Sequence, residues 1–304
     1  MKKILYSFIA GLLIFALWFA GSLYMDIREI YRDRDDDYDF ADDYDEEIPE
    51  PPELDSFSLA DPGFIADPER VNILLIGVDG DASARAPRSD SIMLFSVNKK
   101  TGDPVLISIP RDTYVQIPGR RADKINHSHA FGGAALLRES VSGFMDVPVD
   151  YYLRVNFDGF KGIVDMLGGV NIYVERDMPN RKLWKGQQVL TGEQALWYVR
   201  DREDGDLNRA ARQQQFLVAV AKQAQSAPFT QFSPLIREGV KHVDTDMPMM
   251  TLLDFAQQFW NMDPDAANRY VIPGSGFMHE GVYYLQPDIE VARTFVNKNL
   301  KVPK

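Results

Sequence analysis

The apolar residues of this chain fall into short runs of strand length, separated by polar turns and by segments with helical spacing. Val71–Val78 (VNILLIGV) is a nearly continuous apolar run, as expected of a strand covered on both faces. Ser91–Val97 and Pro104–Ile109 follow, joined by the turn-forming Asn98–Asp103 (NKKTGD), and this spacing predicts an antiparallel hairpin. Thr113–Ile117 reads as a further short strand. Gly132–Phe144 sets Leu136, Leu137, Val141 and Phe144 at helical intervals, and Asp150–Phe157 returns to strand. Phe157–Leu167 reads as a helix stopped by Gly168 and Gly169, and Asn171–Glu175 as a strand. Thr191 followed by Gln194 predicts a capping box opening a helix to about Val199. Asp206 is the expected N-cap of a longer helix with Phe216, Leu217, Val220 and Ala224 on its apolar side. Met249–Trp260 and Pro287–Asn299 fit further helices. Strands and helices mixed in one pattern from Pro68 to about Leu300 predict a single α/β domain, a mixed sheet with helices on both faces.

The N-terminal part has a different character. Lys2 and Lys3 precede an uncharged apolar run, Ile4–Tyr24, whose length of about 20 residues matches a bilayer. Lysines before it and acids after it orient it with the N-terminus in the cytoplasm. A cleaved signal peptide is the alternative, but the run is long for one and only Ala20 and Ser22 offer a small-residue cleavage pattern. The expected organisation is a transmembrane anchor over residues 1–25, an acidic disordered linker over 26–67 and an extracellular folded domain over 68–304, in a single-pass cell-membrane protein. The linker carries 16 acidic residues against three arginines between Asp26 and Asp61, a local charge of −13 in a chain of net charge −12. The remainder is therefore nearly neutral, which together with a membrane anchor argues against nucleic acid as a partner. So acidic and apolar-poor a segment extends as a tether; weak binding of divalent cations is its other conceivable use. With no cysteine in the chain, disulfides, thiolate metal sites and cysteine nucleophiles are excluded.

The densest candidate chemistry lies in Arg200–Gln213 (RDREDGDLNRAARQ), where Arg200, Arg202, Arg209 and Arg212 interleave with Asp201, Asp204 and Asp206. Guanidinium groups fork onto phosphate oxygens in pairs, so such a cluster suits a multiply charged phosphate; a salt-bridged helix end is the plainer alternative. Arg209 and Gln213 lie four apart near a helix N-terminus and point to one side. The loop Gly77–Ser91 sets Asp79 at the end of one strand and Asp90 at the start of the next, where two carboxylates can share Mg²⁺ (or Mn²⁺) while a substrate phosphate completes its octahedron. Arg85 and Arg88 add positive charge. Arg111 ends a strand beside Asp112, an exposed ion pair in the plainer reading, and Lys124 precedes a helical segment as a further phosphate donor. His127 and His129 invite a metal reading but lack further ligands at suitable spacing; ordinary histidines at the start of a helix are the better reading.

Eight motifs in order, NILLIGVD, PRSDSIML, SIPRDTYV, KINHSHAFGG, DYYLRVNFDGF, IVDMLGGV, LTGEQALWYVRDR and DLNRAARQQ, give the chain a close resemblance to the LytR-CpsA-Psr family of membrane-anchored cell-wall proteins from about Val71 to Ala224. The resemblance implies a phosphotransferase moving an anionic glycopolymer, such as teichoic acid or capsular polysaccharide, from a polyprenyl diphosphate carrier to peptidoglycan. It implies Asp79 and Asp90 as Mg²⁺ ligands. Arg88, Arg111, Lys124, Arg200, Arg202, Arg209 and Gln213 would bind the diphosphate, with Asp79, Asp90 and Arg111 closest to the chemistry. It further implies an apolar channel for the lipid tail. The segments Arg176–Lys185 and Glu203–Gly205 are short for the family, on what is expected to be the acceptor side. A diphosphatase and a non-catalytic lipid-carrier or wall-binding module are the competing functions.

Overall fold

Val71–Val78 does form a strand, and it becomes the centre of the sheet. The computed structural model describes residues 58–78, 89–201, 203, 205–226, 243–248, 250–252, 255, 262–279 and 281–304, all within one compact unit. In chain order these residues form β1 (Phe64–Ala66), β2 (Arg70–Val78), β3 (Ser89–Asn98), β4 (Pro104–Ser108), β5 (Tyr114–Gln116), β6 (Ala122–Lys124) and helix α1 (Ile125–Met145). Then come β7 (Tyr151–Val155), α2 (Phe157–Met166), β8 (Val170–Val174), β9 (Gly186–Leu190), α3 (Gly192–Arg200) and α4 (Asp206–Ser226). The chain closes with β10 (Val243–Thr245), β11 (Asn268–Val271), β12 (Gly274–His279), β13 (Val282–Pro287), α5 (Ile289–Leu300) and β14 (Lys301–Pro303).

The main sheet has the order β10-β7-β2-β3-β4-β11. It is mixed: β2–β3 and β3–β4 are antiparallel, whereas β2–β7 and β4–β11 are parallel. Alternation along β2 explains its unbroken apolar sequence. Leu74 and Ile76 face one way, with Ile92, Leu94, Val105 and Ile107, against Leu137, Val141 and Phe144 of α1 and Ala292, Val296 and Leu300 of α5. Val71 and Ile73 face the other way, against Met247. Helix α4 lies on this second side. There the buried amide of Gln214 donates to Leu106 O (3.4 Å), Ser108 Oγ (2.9 Å) and Tyr270 O (2.7 Å), tying the helix to β4 and β11. Helices thus cover both faces. Gln214→Ala strands these acceptors in the interior and is expected to cost about 2 kcal/mol, read as a lower denaturant midpoint at unchanged m-value.

Several elements differ from the sequence expectation. Folded structure starts before Pro68: Leu59 is fully buried, its N–H donates to Phe144 O (2.7 Å), and β1 pairs antiparallel with β14. The acidic character of the preceding residues hides this short edge pairing. Helix α1 begins at Ile125, not Gly132, so the Gly132-Gly133 pair is a break inside the helix. Gly133 adopts φ 62°, ψ −157°, a conformation closed to side-chain-bearing residues, and the polar first turns lack the apolar spacing that marks the rest. His129 is buried there, while His127 Nδ1 lies 2.7 Å from Asp123 Oδ2. Strands β8–β9 and β12–β13 are two-stranded hairpins, of which the sequence suggested only β8. The C-terminal helix is capped by Asp288, whose Oδ1 accepts from Val291 N (3.2 Å). No helix among the described residues is long and apolar enough to cross a membrane. The Ile4–Tyr24 run, the linker up to Phe57, most of Met249–Trp260 and the Asp206 side chain lie outside the described residues.

Candidate functional site

The ends of β2, β3 and β4 open together at one edge of the sheet. A register shift between Gly77 and Val78 disturbs the β2–β3 ladder at the end of β2. Here a cavity of about 300 Å³ is lined on its polar side by Asp90, Arg111, Asp112, Arg209 and Gln213. Ile92, Ile109, Ile272 and Leu285 supply an apolar side.

The polar groups come from β3, the segment after β4, and helix α4. Asp90, second residue of β3, accepts from Arg111 Nη1 at 2.5 Å. Arg111, just past β4, also pairs through Nε with Asp112 Oδ2 (3.4 Å), and Asp112 Oδ1 meets Lys124 Nζ at 2.9 Å. Arg111 is therefore clamped between two carboxylates, and Lys124 acts on the cavity through Asp112. Arg209 is nearly buried, on the first turns of α4. Gln213, one turn on, accepts from Ser91 Oγ (3.1 Å) and donates to Val199 O (3.2 Å), which fixes its amide toward the cavity. Three cations (Arg111, Lys124 and Arg209) against two carboxylates leave this described set with an excess of positive charge at the start of a 21-residue helix. Both features favour an anion.

The Arg200–Gln213 cluster divides into separate tasks. Arg209 and Gln213 share the cavity face, as their spacing predicted. Arg212 is turned away from it and buried, donating through Nη2 to Asp201 O (2.5 Å) and pairing with Asp201 Oδ2 (3.4 Å). Asp201 Oδ2 also accepts from Arg176 Nη2, and Arg176 Nη1 reaches Glu203 Oε2 at 2.8 Å. Arg200 is not among the cavity-lining residues: its guanidinium stacks over Phe157 (4.2 Å) and approaches Trp197 (5.6 Å). The capping box of α3 is present as expected, with Gln194 N donating to Thr191 Oγ1 (3.4 Å) and Thr191 N to Gln194 Oε1 (3.2 Å). Asp79, Arg88, Arg202 and Asp204 lie outside the described residues. Among the described residues no group of three or more His, Asp or Glu side chains is poised to hold a metal.

Sequence reasoning missed one wall. The β12–β13 hairpin contributes Gly274, Gly276, Tyr283 and Leu285 to the cavity. Leu285 N donates to Asp112 O (2.8 Å), so the hairpin is bonded to the residue that braces Arg111 and Lys124. Phe277 and Tyr284 meet the buried ring of Tyr114 edge-on, at 5.7 and 5.2 Å. The alternation in GSGFMHEGVYYLQP was the available signal, masked by its glycines. Burial, then the proximity of Tyr284 and Asp123, pushes the Tyr114 hydroxyl up to about 12. The unfolded chain loses this proton near pH 10 and the folded chain does not, so stability is complete below pH 10 and falls as pH rises toward 12. Denaturant titrations across that window are expected to show the loss, and Tyr114→Phe to reduce it.

The family model described as the LytR_cpsA_psr family matches residues 37–301 of this chain. The chain belongs to the LytR_cpsA_psr family. Among its relatives is the polyisoprenyl-teichoic acid–peptidoglycan teichoic acid transferase TagU of Bacillus mycoides (strain KBAB4), 36% identical over 233 residues that cover 74% of this chain and 76% of that protein. TagU of Bacillus subtilis (strain 168) is 34% identical over 237 residues, 76% of each. Solved structures resemble this chain over about three quarters of its length: B. subtilis TagV superposes with a TM-score of 0.69 at 30% identity, covering 76% of this chain and 97% of that one. TagT bound to LIIa-WTA gives 0.67 at 29% identity, covering 79% and 93%. The mixed α/β architecture with its helices is the fold of these proteins.

Proposed function

We propose that this chain transfers an anionic glycopolymer of the teichoic acid type from a polyprenyl diphosphate carrier to peptidoglycan, from the outer side of a membrane in which Ile4–Tyr24 anchors it. The relatives named as teichoic acid transferases and the TagT complex with LIIa-WTA support the substrate class. The observation that carries the reading is the division of one cavity into a polar side, where Arg111 and Arg209 stand with Gln213, Asp90 and Asp112, and an apolar side, with Ile92, Ile109, Ile272 and Leu285. A prenyl diphosphate has the same two-part chemistry.

In this reading Arg111 and Arg209 grip the diphosphate oxygens and Gln213 orients them, while the isoleucines hold the first prenyl units out of water. A sugar hydroxyl of peptidoglycan attacks the glycopolymer-side phosphorus. The new phosphorus–oxygen bond forms as the bridging bond breaks, polyprenyl phosphate departs, and the hydroxyl proton is lost to solvent. Such a transition state requires alignment and charge neutralisation above all, and preorganised guanidinium groups supply both. The residues fit Mg²⁺: Asp90 is a hard oxygen donor at the cavity, and Mg²⁺ is commonly held by one or two carboxylates plus substrate phosphate. Asp90, with Asp79 from the adjoining loop, would hold it, and when bound it would neutralise phosphate charge. Because Asp90 already pairs with Arg111, cation and guanidinium would share that carboxylate.

The test is a product assay with the full chain in vesicles, a lipid-diphosphate-linked glycopolymer and peptidoglycan. A covalent adduct whose formation stops on chelation is expected. Release of free glycopolymer phosphate alone would make the protein a diphosphatase, and donor binding without turnover would make it a carrier module.

A further inference from the structure

The β12–β13 register pairs Met278 with Tyr283, Gly276 with Leu285 and Gly274 with Pro287, so these six residues occupy one face of the hairpin. Four of them, Gly274, Gly276, Tyr283 and Leu285, line the cavity. Beyond its rim the same face continues outward to Met278, 63% exposed, beside Tyr283, 46% exposed. The face carries no charge along its length. The opposite face is already occupied, with Phe277 and Tyr284 packed on Tyr114. Gly276 keeps the open face smooth: a Cβ there would stand 2.6 Å from the Tyr283 hydroxyl, so the ring can lie across the strand only because position 276 is bare.

We propose that this open face of the β12–β13 hairpin rests on the lipid bilayer and forms the threshold by which a prenyl chain passes between membrane and cavity without crossing water. The inference rests on the reading of the substrate as a membrane lipid. Continuity carries it: a lipid tail leaving the bilayer needs an unbroken apolar path, and the wall that receives it extends to an exposed methionine and tyrosine. Tyrosine, with an apolar body and polar tip, suits the headgroup boundary, and methionine adapts to irregular apolar surroundings. The β8–β9 hairpin exposes comparable side chains, Tyr173 at 47% and Val189 at 60%, but its outer face is broken by the Asn171–Gln187 hydrogen bond (2.8 Å) and does not reach the cavity. A contact this small binds marginally by itself. The Ile4–Tyr24 run, of bilayer length, followed by an acidic segment poor in apolar residues, would supply the high local concentration that makes it effective.

The absence of cysteine in the chain makes the test direct. Single-cysteine variants Met278→Cys, Val189→Cys and Lys99→Cys of the full chain are labelled with an environment-sensitive fluorophore. They are reconstituted in phosphatidylglycerol–phosphatidylethanolamine vesicles with and without nitroxide-labelled lipid. Lys99 lies in the β3–β4 turn, at the far end of the sheet from the cavity. Position 278 is expected to show blue-shifted emission that the nitroxide lipid quenches, with neither effect at 189 or 99. No quenching at 278, or equal quenching at all three positions, overturns the proposal. A label at 278 that ignores lipid but responds to peptidoglycan fragments assigns the face to the acceptor glycan and overturns it equally. Transfer is not part of the readout, so failure of the proposed reaction and failure of the membrane contact are separately visible.

Discussion

Arg111→Ala is expected to lower the rate of glycopolymer transfer by about 10²–10³-fold, the loss typical of removing one preorganised donor from a site that stabilises developing anionic charge. Two effects act together. The cavity loses a guanidinium that can fork onto phosphate oxygens, and Asp90 and Asp112 lose the cation that separates them. The negative charge of Asp90 and Asp112, no longer offset by Arg111, then repels the incoming diphosphate. Arg111→Lys restores a point charge without the planar fork and is expected to recover only part of the rate. Single-turnover transfer from a lipid diphosphate donor measures the effect, with thermal unfolding as the control for structure. A wild-type rate in Arg111→Ala would remove the proposed chemistry from this cavity.

Asp201→Ala is expected to destabilise the fold by about 3 kcal/mol, because it removes an acidic partner from a nearly buried guanidinium. Asp201 is the shared partner of Arg176 and Arg212, and the Arg212 side chain is only 4% exposed. The consequence extends to the site. Asp201 caps α3 and Arg212 belongs to α4, so their link sets where the first turn of α4 places Arg209 and Gln213. Asp201→Asn keeps an acceptor and loses the charge, and is expected to fall between wild type and alanine. Urea unfolding at neutral pH measures the difference, and transfer is expected to fall in parallel with the native population.

Periodicity carried β2, β3, β4, β7 and most helices, but not the edge strands β10 and β11, because a strand buried on both faces and an amphipathic helix each leave a local, repeating signature. β2, β3, β4, the α3 capping box and the Arg209–Gln213 pair were all legible for that reason. The first turns of α1 were not, since buried Asn126, Ser128 and His129 look polar in sequence. Nor was the β12–β13 hairpin, whose glycines dilute an alternating pattern.

By itself the sequence determined which chemistry is present: an arginine-rich, cysteine-free chain with an apolar N-terminal run, a neutral α/β domain and two carboxylates near strand ends. Only the tertiary structure decided how that chemistry is divided. Among adjacent arginines of one segment, Arg209 faces the cavity, Arg212 is buried against Asp201, and Arg200 lies on aromatic rings. A guanidinium looks the same in sequence whether it binds a ligand or braces a fold. Its role is set by what lies within a few ångströms, and those neighbours come from strands and helices far away along the chain.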